Sequence, residues 1–270
     1  MGTSTDEPTR DFLGLEIDAA AGTGRFSVRD ALANPTGSLF GGAGVAAAVT
    51  LMEAVTGRRV QWTTLQFVSA PTWDDVVDCT VDVLAHGGRM SQVRLTASVG
   101  GVEAFSALGA TGLDRDGSMV AFDRMPVVPP PEDCPPAQLG PFSTEETARS
   151  YFGAIDRREA GGPDELRDTG SHAAFWVRVP GLGVTAPLLG YFGDVAAFGI
   201  FRAMGRPDGR ATSVDNTLRV GVPHETEWVL LDLRAHFVAG GYGYGTVYLW
   251  SRDGTLMGLM SQTVALRTMV

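Results

Sequence analysis

SLFGGAGVAAAVTLMEAVTG, residues 38–57, reads as a helix with almost no polar face. Ser38 stands where a capping side chain would start it, and Gly57 where a left-handed residue would end it. Between the glycines at 41 and 57 its polar side chains are Thr50, Glu53 and Thr56. A helix that meets water on one side carries a continuous polar stripe. This one does not, so it belongs inside, covered all round. The next segments of the chain can do the covering: TTLQFVSAP (63–71), DDVVDCTVDVLAHGG (74–88), MSQVRLTASVGG (90–101) and VEAFSALGATGL (102–113). Runs such as VRLTAS alternate apolar and polar residues, which suits antiparallel strands with one wet face. The unit is α+β: a long central helix wrapped by an antiparallel sheet.

The same unit is expected again further along. PLLGYFGDVAAFGIFRAMG (187–205) reads as a second buried helix, with Pro187 in its first turn and Gly205 at its end. NTLRVGVP, EWVLLDLRAHFVAGG, GTVYLWSRDG and TLMGLMSQTVALR come after it as strands. TLQF at 64–67 returns as TLRV at 217–220, an offset of 153. The Gly-Gly pairs at 87–88 and 240–241 keep that offset, as do Gly101 and Gly254. Between the two copies lies MPVVPPPEDCPPAQLGP (125–141), whose seven prolines forbid helix or central strand. The expected organisation is an N-terminal unit over 1–124, a Pro-rich linker over 125–145 laid across a surface, and a C-terminal unit over 146–270.

Composition narrows the function classes. A net charge of −10 and no Lys/Arg cluster argue against nucleic acid. The polar, acidic N-terminus lacks the order of a signal peptide, and no apolar run is long enough to span a bilayer, so a soluble cytoplasmic protein without membrane contact is expected. Cys79 and Cys134 have no metal-ligand spacing, and no cofactor or metal motif is visible. G-x-S-x-G is absent. GYGYG at 241–245 lies between strands and reads as a hairpin, with Tyr242 and Tyr244 available to line a tunnel mouth. Sheet edges of this kind pair with further copies, so a homodimer or larger homo-oligomer is expected.

One residue does not fit the second helix. Asp194 has Gly190, Tyr191, Ala197 and Phe198 as its helical neighbours. A carboxylate there is costly to desolvate unless something donates to it. It is either a structural acid satisfied by nearby donors or a general base lining a cleft. Gln262, mid-strand in LMSQTVAL, and Ser213, in ATSVDN, are candidates to accompany it. Aligned through Gly57 and Gly205, the first half has Ala46 where the second has Asp194; aligned through Gly101 and Gly254, it has Gly109 where the second has Gln262. The polar set is therefore present once per chain.

These features resemble the type II acyl-CoA thioesterase family, whose members are double hotdogs. The likeness covers nearly the whole chain. LFGG (39–42), FVSAP (67–71) and HGGRMS (86–91) sit where that family has its corresponding turns. Asp194, Ser213 two residues before Asp215, and Gln262 match its second-half pattern, with Ser for the family's Thr. One departure is VQWTTLQF (60–67), where enteric members carry histidines. The resemblance implies a tandem double hotdog that hydrolyses acyl-CoA to free acid and CoA without a cofactor. Asp194 would activate water, and Ser213 and Gln262 would hold it. Gly41 and Gly42, at the start of the first helix, are placed to offer free backbone N–H groups to the oxyanion. A non-catalytic acyl or acyl-CoA binding protein is the alternative. A hotdog enoyl-CoA hydratase has less support, because His86, His172, His224 and His236 offer no partner for the helix acid.

Overall fold

The computed structural model describes residues 7–115, 120–137, 144–161, 172–206, 209–222 and 224–267. Among them, twelve strands form one antiparallel sheet in the order β1-β2-β4-β5-β6-β3-β9-β12-β11-β10-β8-β7. The first half supplies β1 (Glu16–Asp18), β2 (Thr23–Ser27), β3 (Arg59–Phe67), β4 (Val76–His86), β5 (Met90–Val99) and β6 (Val102–Gly112). The second supplies β7 (Asp156–Gly161), β8 (His172–Arg178), β9 (Ala211–Val220), β10 (Val229–Ala239), β11 (Tyr242–Ser251) and β12 (Leu256–Leu266).

The order is a palindrome about the β3–β9 seam: β4-β5-β6-β3 on one side is matched by β9-β12-β11-β10 on the other. Thr64 and Thr217, equivalent in the sequence repeat, lie directly opposite each other in that seam. Their hydroxyls are 2.8 Å apart across 153 residues of chain. A pseudo-twofold axis therefore passes between them, and the repeat predicted from TLQF and TLRV is a structural one. Two-residue hairpin turns join β5 to β6 and β10 to β11. Gly100–Gly101 and Gly240–Gly241 both adopt positive φ, the conformation that a tight turn matched to strand twist requires.

After a short N-terminal helix, α1 (Glu7–Leu13), comes α2 (Gly41–Thr56), buried continuously from Gly41 to Met52. Leu51 and Met52 are wholly enclosed, each worth about 1.5–3 kcal/mol relative to exposure. Gly57 ends the helix in the left-handed conformation, its N–H on Glu53 O, as expected. The start differs from expectation. Ser38 forms an isolated bridge to Thr72 and does not cap; the N-cap is Phe40, whose side chain makes no capping bond. The acceptor at this helix start comes from the other half of the chain.

A third short helix, α3 (Thr144–Ala148), precedes β7. The second predicted helix is two helices. α4 (Ala186–Gly193), with Pro187 in its first turn, stops before Asp194, and α5 (Ala196–Ala203) restarts after it. Asp194, at φ −77° and ψ 57°, sits at the centre of an inverse γ-turn closed by Val195 N–H on Gly193 O at 2.8 Å. α4 packs against α2, and the sheet closes around both helices. This is the double hotdog that the sequence implied.

The Pro-rich stretch lies over the outer face of the second half as far as it is described; residues 138–143 fall outside the described residues. Pro129 O accepts the Trp176 indole N–H at 2.9 Å. Beneath the strap a second apolar cluster joins Cys134, Trp176, Leu230 and Trp250. Tyr242 and Tyr244 do not reach a tunnel: Tyr242 is exposed at the β10–β11 turn, and Tyr244 stacks on Phe237. Among the described residues no helix is long and apolar enough to cross a membrane.

Candidate active site

Asp194 lies on the seam between the halves, 7% exposed, and is surrounded by donors. Its Oδ2 accepts the Gly42 N–H of α2 at 2.8 Å. Its Oδ1 accepts Asn216 Nδ2 at 2.8 Å, the Ser213 hydroxyl at 3.4 Å, and a short bond from Gln262 Nε2. Three of these partners come from β9 and β12, which are neighbours in the sheet. The fourth comes from the other half of the chain. Asp194 is thus the missing N-cap of α2: its charge meets the positive end of the helix dipole. Gly41 is required beside it, because a Cβ there would lie 2.5 Å from Asp194 Oδ2.

Gln262 ties the site together. Its Oε1 accepts the N–H of Ala196, the first residue of α5, at 3.1 Å. That fixes the amide with Nε2 towards Asp194, since a carboxylate needs a donor. The second Nε2 hydrogen goes to Ser213 Oγ at 2.8 Å, leaving the serine hydrogen for the carboxylate. The break in the helix and the site are therefore one feature. Asp194 leaves the helix to reach its donors, and the amide that holds it caps the helix that restarts.

Sequence reasoning missed Asn216. Ser213 and Asn216 are three apart and would face opposite sides of a regular strand. A bulge changes that: pairing steps from Asp215–Thr263 to Ser213–Val264 and leaves Val214 unpaired. The extra residue rotates Ser213 onto the face of Asn216. Asp215, in the resembling pattern, holds the backbone at the bulge through Thr263 N–H at 2.9 Å. Asn216 faces Gln262 directly across the β9–β12 ladder, so both amides converge on one oxygen.

Gly41 and Gly42 reach the site, Gly42 in a different capacity from the one expected. Its N–H is not free for an oxyanion but is committed to Asp194, because a desolvated carboxylate takes the nearest helix-terminal donor. Burial pushes the Asp194 carboxyl up to about 6, against the opposing pull of Asn216, Gly42, Gln262 and Ser213. At neutral pH the group is ionised and more basic than an ordinary aspartate. Phe40 stacks on Tyr151 at 3.8 Å and meets Tyr191 edge-on, walling the α2 start. Tyr191, Phe192 and Val195, the chain neighbours of Asp194, also line a narrow cleft of about 40 Å³ in the second half.

Residues 131–266 match the family model described as the acyl-CoA thioesterase C-terminal domain. Among solved structures, a candidate thioesterase from Novosphingobium aromaticivorans DSM 12444 is 30% identical, with 94% of this chain and 98% of that one covered and a TM-score of 0.85. A hot dog fold protein of unknown function from Alicyclobacillus acidocaldarius superposes over 98% of this chain and 99% of its own at 20% identity, TM-score 0.81. Acyl-CoA thioesterase II TesB2 from Mycobacterium marinum does so over 97% and 98% at 19% identity, TM-score 0.75. At those two identities the likeness speaks for the fold alone. No curated protein sequence matches the chain. With the model spanning half its length and a near full-length relative at 30% identity, this chain belongs to the acyl-CoA thioesterase family, as a double hotdog.

Proposed function

We propose that the chain hydrolyses acyl-CoA thioesters to free acid and CoA by water activated at Asp194. The observation that carries this is the carboxylate itself: buried, raised to about 6, and held by Gly42 from one half and Ser213, Asn216 and Gln262 from the other. Oδ1 is crowded by three donors, whereas Oδ2 accepts one and keeps a lone pair. Oδ2 is the oxygen that takes the proton. Water attacks the thioester carbonyl carbon as its proton passes to Asp194. The tetrahedral intermediate collapses, the C–S bond breaks, and the CoA thiolate leaves and takes up the proton held by Asp194. A base with a raised pKa suits this work at neutral pH.

With the Gly42 amide committed, Gly41 is the backbone N–H this reading assigns to the oxyanion, at the positive end of α2. Ser213 and Gln262 orient the carboxylate, with Asn216 as a further positioning residue. The reading includes a homodimer or larger homo-oligomer, checked by light scattering of the purified chain. The decisive measurement is thiol release from acyl-CoAs of several lengths, wild type against Asp194→Asn. Release by wild type and its loss in the variant support the assignment. Tight acyl-CoA binding with no thiol released over hours would instead make the chain a binding protein.

A further inference from the structure

The cleft beside the Asp194 turn is walled mainly by Ile155, Phe175, Phe198, Leu231 and Leu233; Tyr191 also lines it, its hydroxyl donating to Ala31 O, and two further polar side chains enter it. Arg157, on β7, is one. Its guanidinium carbon stands 4.4 Å from the Phe152 ring centroid and 5.9 Å from that of Phe198. Its Nε is buried without a hydrogen-bond partner. Among the described residues its side chain makes no ion pair, and Glu159, two residues along the strand, is engaged by Arg202 at 2.8 Å. Tyr151 is the other. Its ring is stacked on Phe40 at the start of α2. Burial holds that phenol protonated, so it can donate.

A guanidinium set between two aromatic rings is only partly compensated for the water it has lost. Its planar fork of N–H groups matches a carboxylate. The space is small: about 40 Å³ admits roughly three water-sized groups, so a long alkyl chain does not fit without the walls moving. A phosphate, larger and more strongly hydrated, fits an apolar wall poorly. We propose that this cleft is the acyl subsite and that Arg157 is a specificity-determining residue, selecting short acyl groups whose far end carries a carboxylate, with Tyr151 donating alongside. The inference rests on the hydrolase reading for the term "acyl subsite", but not for the binding of the anion.

Binding separates the two. S-(2-carboxyethyl)-CoA and S-propyl-CoA, which cannot be hydrolysed, are titrated into the full chain and followed by tryptophan fluorescence. Wild type is expected to bind the carboxylated thioether about tenfold more tightly, the scale of one charge-assisted pair. Arg157→Gln brings the two affinities together, and Arg157→Lys keeps part of the preference, which guards against a variant that merely fails to fold. Equal binding by wild type overturns the proposal. So does a preference that survives in Arg157→Gln, or a variant that weakens both ligands alike, the pattern of a residue that reads the carrier phosphates. If the preference is present but no thioester is hydrolysed, the subsite stands and the hydrolase reading falls.

Discussion

The two central helices began as copies and now do different things. α2 runs unbroken, closed on small and aliphatic side chains, and Ala46 stands fully buried where the sequence alignment places Asp194. Its counterpart breaks into α4 and α5, and the break is the candidate site. The first helix keeps regular geometry and supplies a bare N-terminus. The second gives up a turn of helix and supplies an acid to that N-terminus. In a fused pair, one copy can serve as scaffold while the other departs from regularity. The departure is tolerated because the Ala196 N–H freed at the break is taken up by Gln262 Oε1.

The sharpest way to break this comparison is to disable the acid. Asp194→Asn should lower thiol release by ~10²–10⁴-fold, the range for loss of a general base. Next comes the reverse experiment in the first helix. Ala46→Asp puts a carboxylate at a fully buried position in the apolar run of α2. It should cost about 3–5 kcal/mol of unfolding free energy in denaturant titrations. A stable Ala46→Asp protein would mean the two helices differ less than their surroundings suggest. Gly41→Ala drives a methyl against Asp194 Oδ2 and should lower kcat by ~10²-fold through misplacement, with a smaller change in melting temperature.

The pH profile sharpens the point further. In the proposed mechanism the base must be ionised, so kcat/KM should be level above the Asp194 pKa and fall as pH drops through about 6. Asn216→Ala removes a donor that favours the charged form, so the inflection should move upward from there. An unmoved inflection would exclude Asn216 from the tuning. The smallest effect is Ser213→Thr. It keeps the hydroxyl, and the 3.4 Å contact it replaces is weak, so kcat should stay within about threefold.

Much of this was legible in the sequence because it depends on local rules. The strands follow alternation, the hairpins follow Gly-Gly, and the pseudo-twofold axis is written in TLQF and TLRV. Asp194 stood out as a carboxylate in an apolar helix, Ser213 and Gln262 were singled out beside it by the asymmetry of the halves and the family pattern, and the three do meet. What stayed hidden depends on distant partners. The helix break needs the amide of Gln262, 68 residues further on than Asp194. The cap of α2 comes from 152 residues away, so the nearby Ser38 was the natural but mistaken choice. Asn216 was missed because period-two reasoning fails across the bulge at Val214. Arg157 was hidden in DRREAG, which reads as a charged edge strand until the rings of Phe152 and Phe198 are seen around its side chain.

The Pro-rich strap makes the two broad surfaces of the molecule unequal. One is upholstered by residues 125–137 and fastened through Trp176, while its twin carries open ladders such as Arg94–Asp82 and Arg25–Asp78. A molecule symmetric on both sides could stack without end. In the homo-oligomer proposed above, copies that met through the open side would close as an isologous couple, and growth would stop there. The connection that joins the repeats would in that way also limit how many chains can gather.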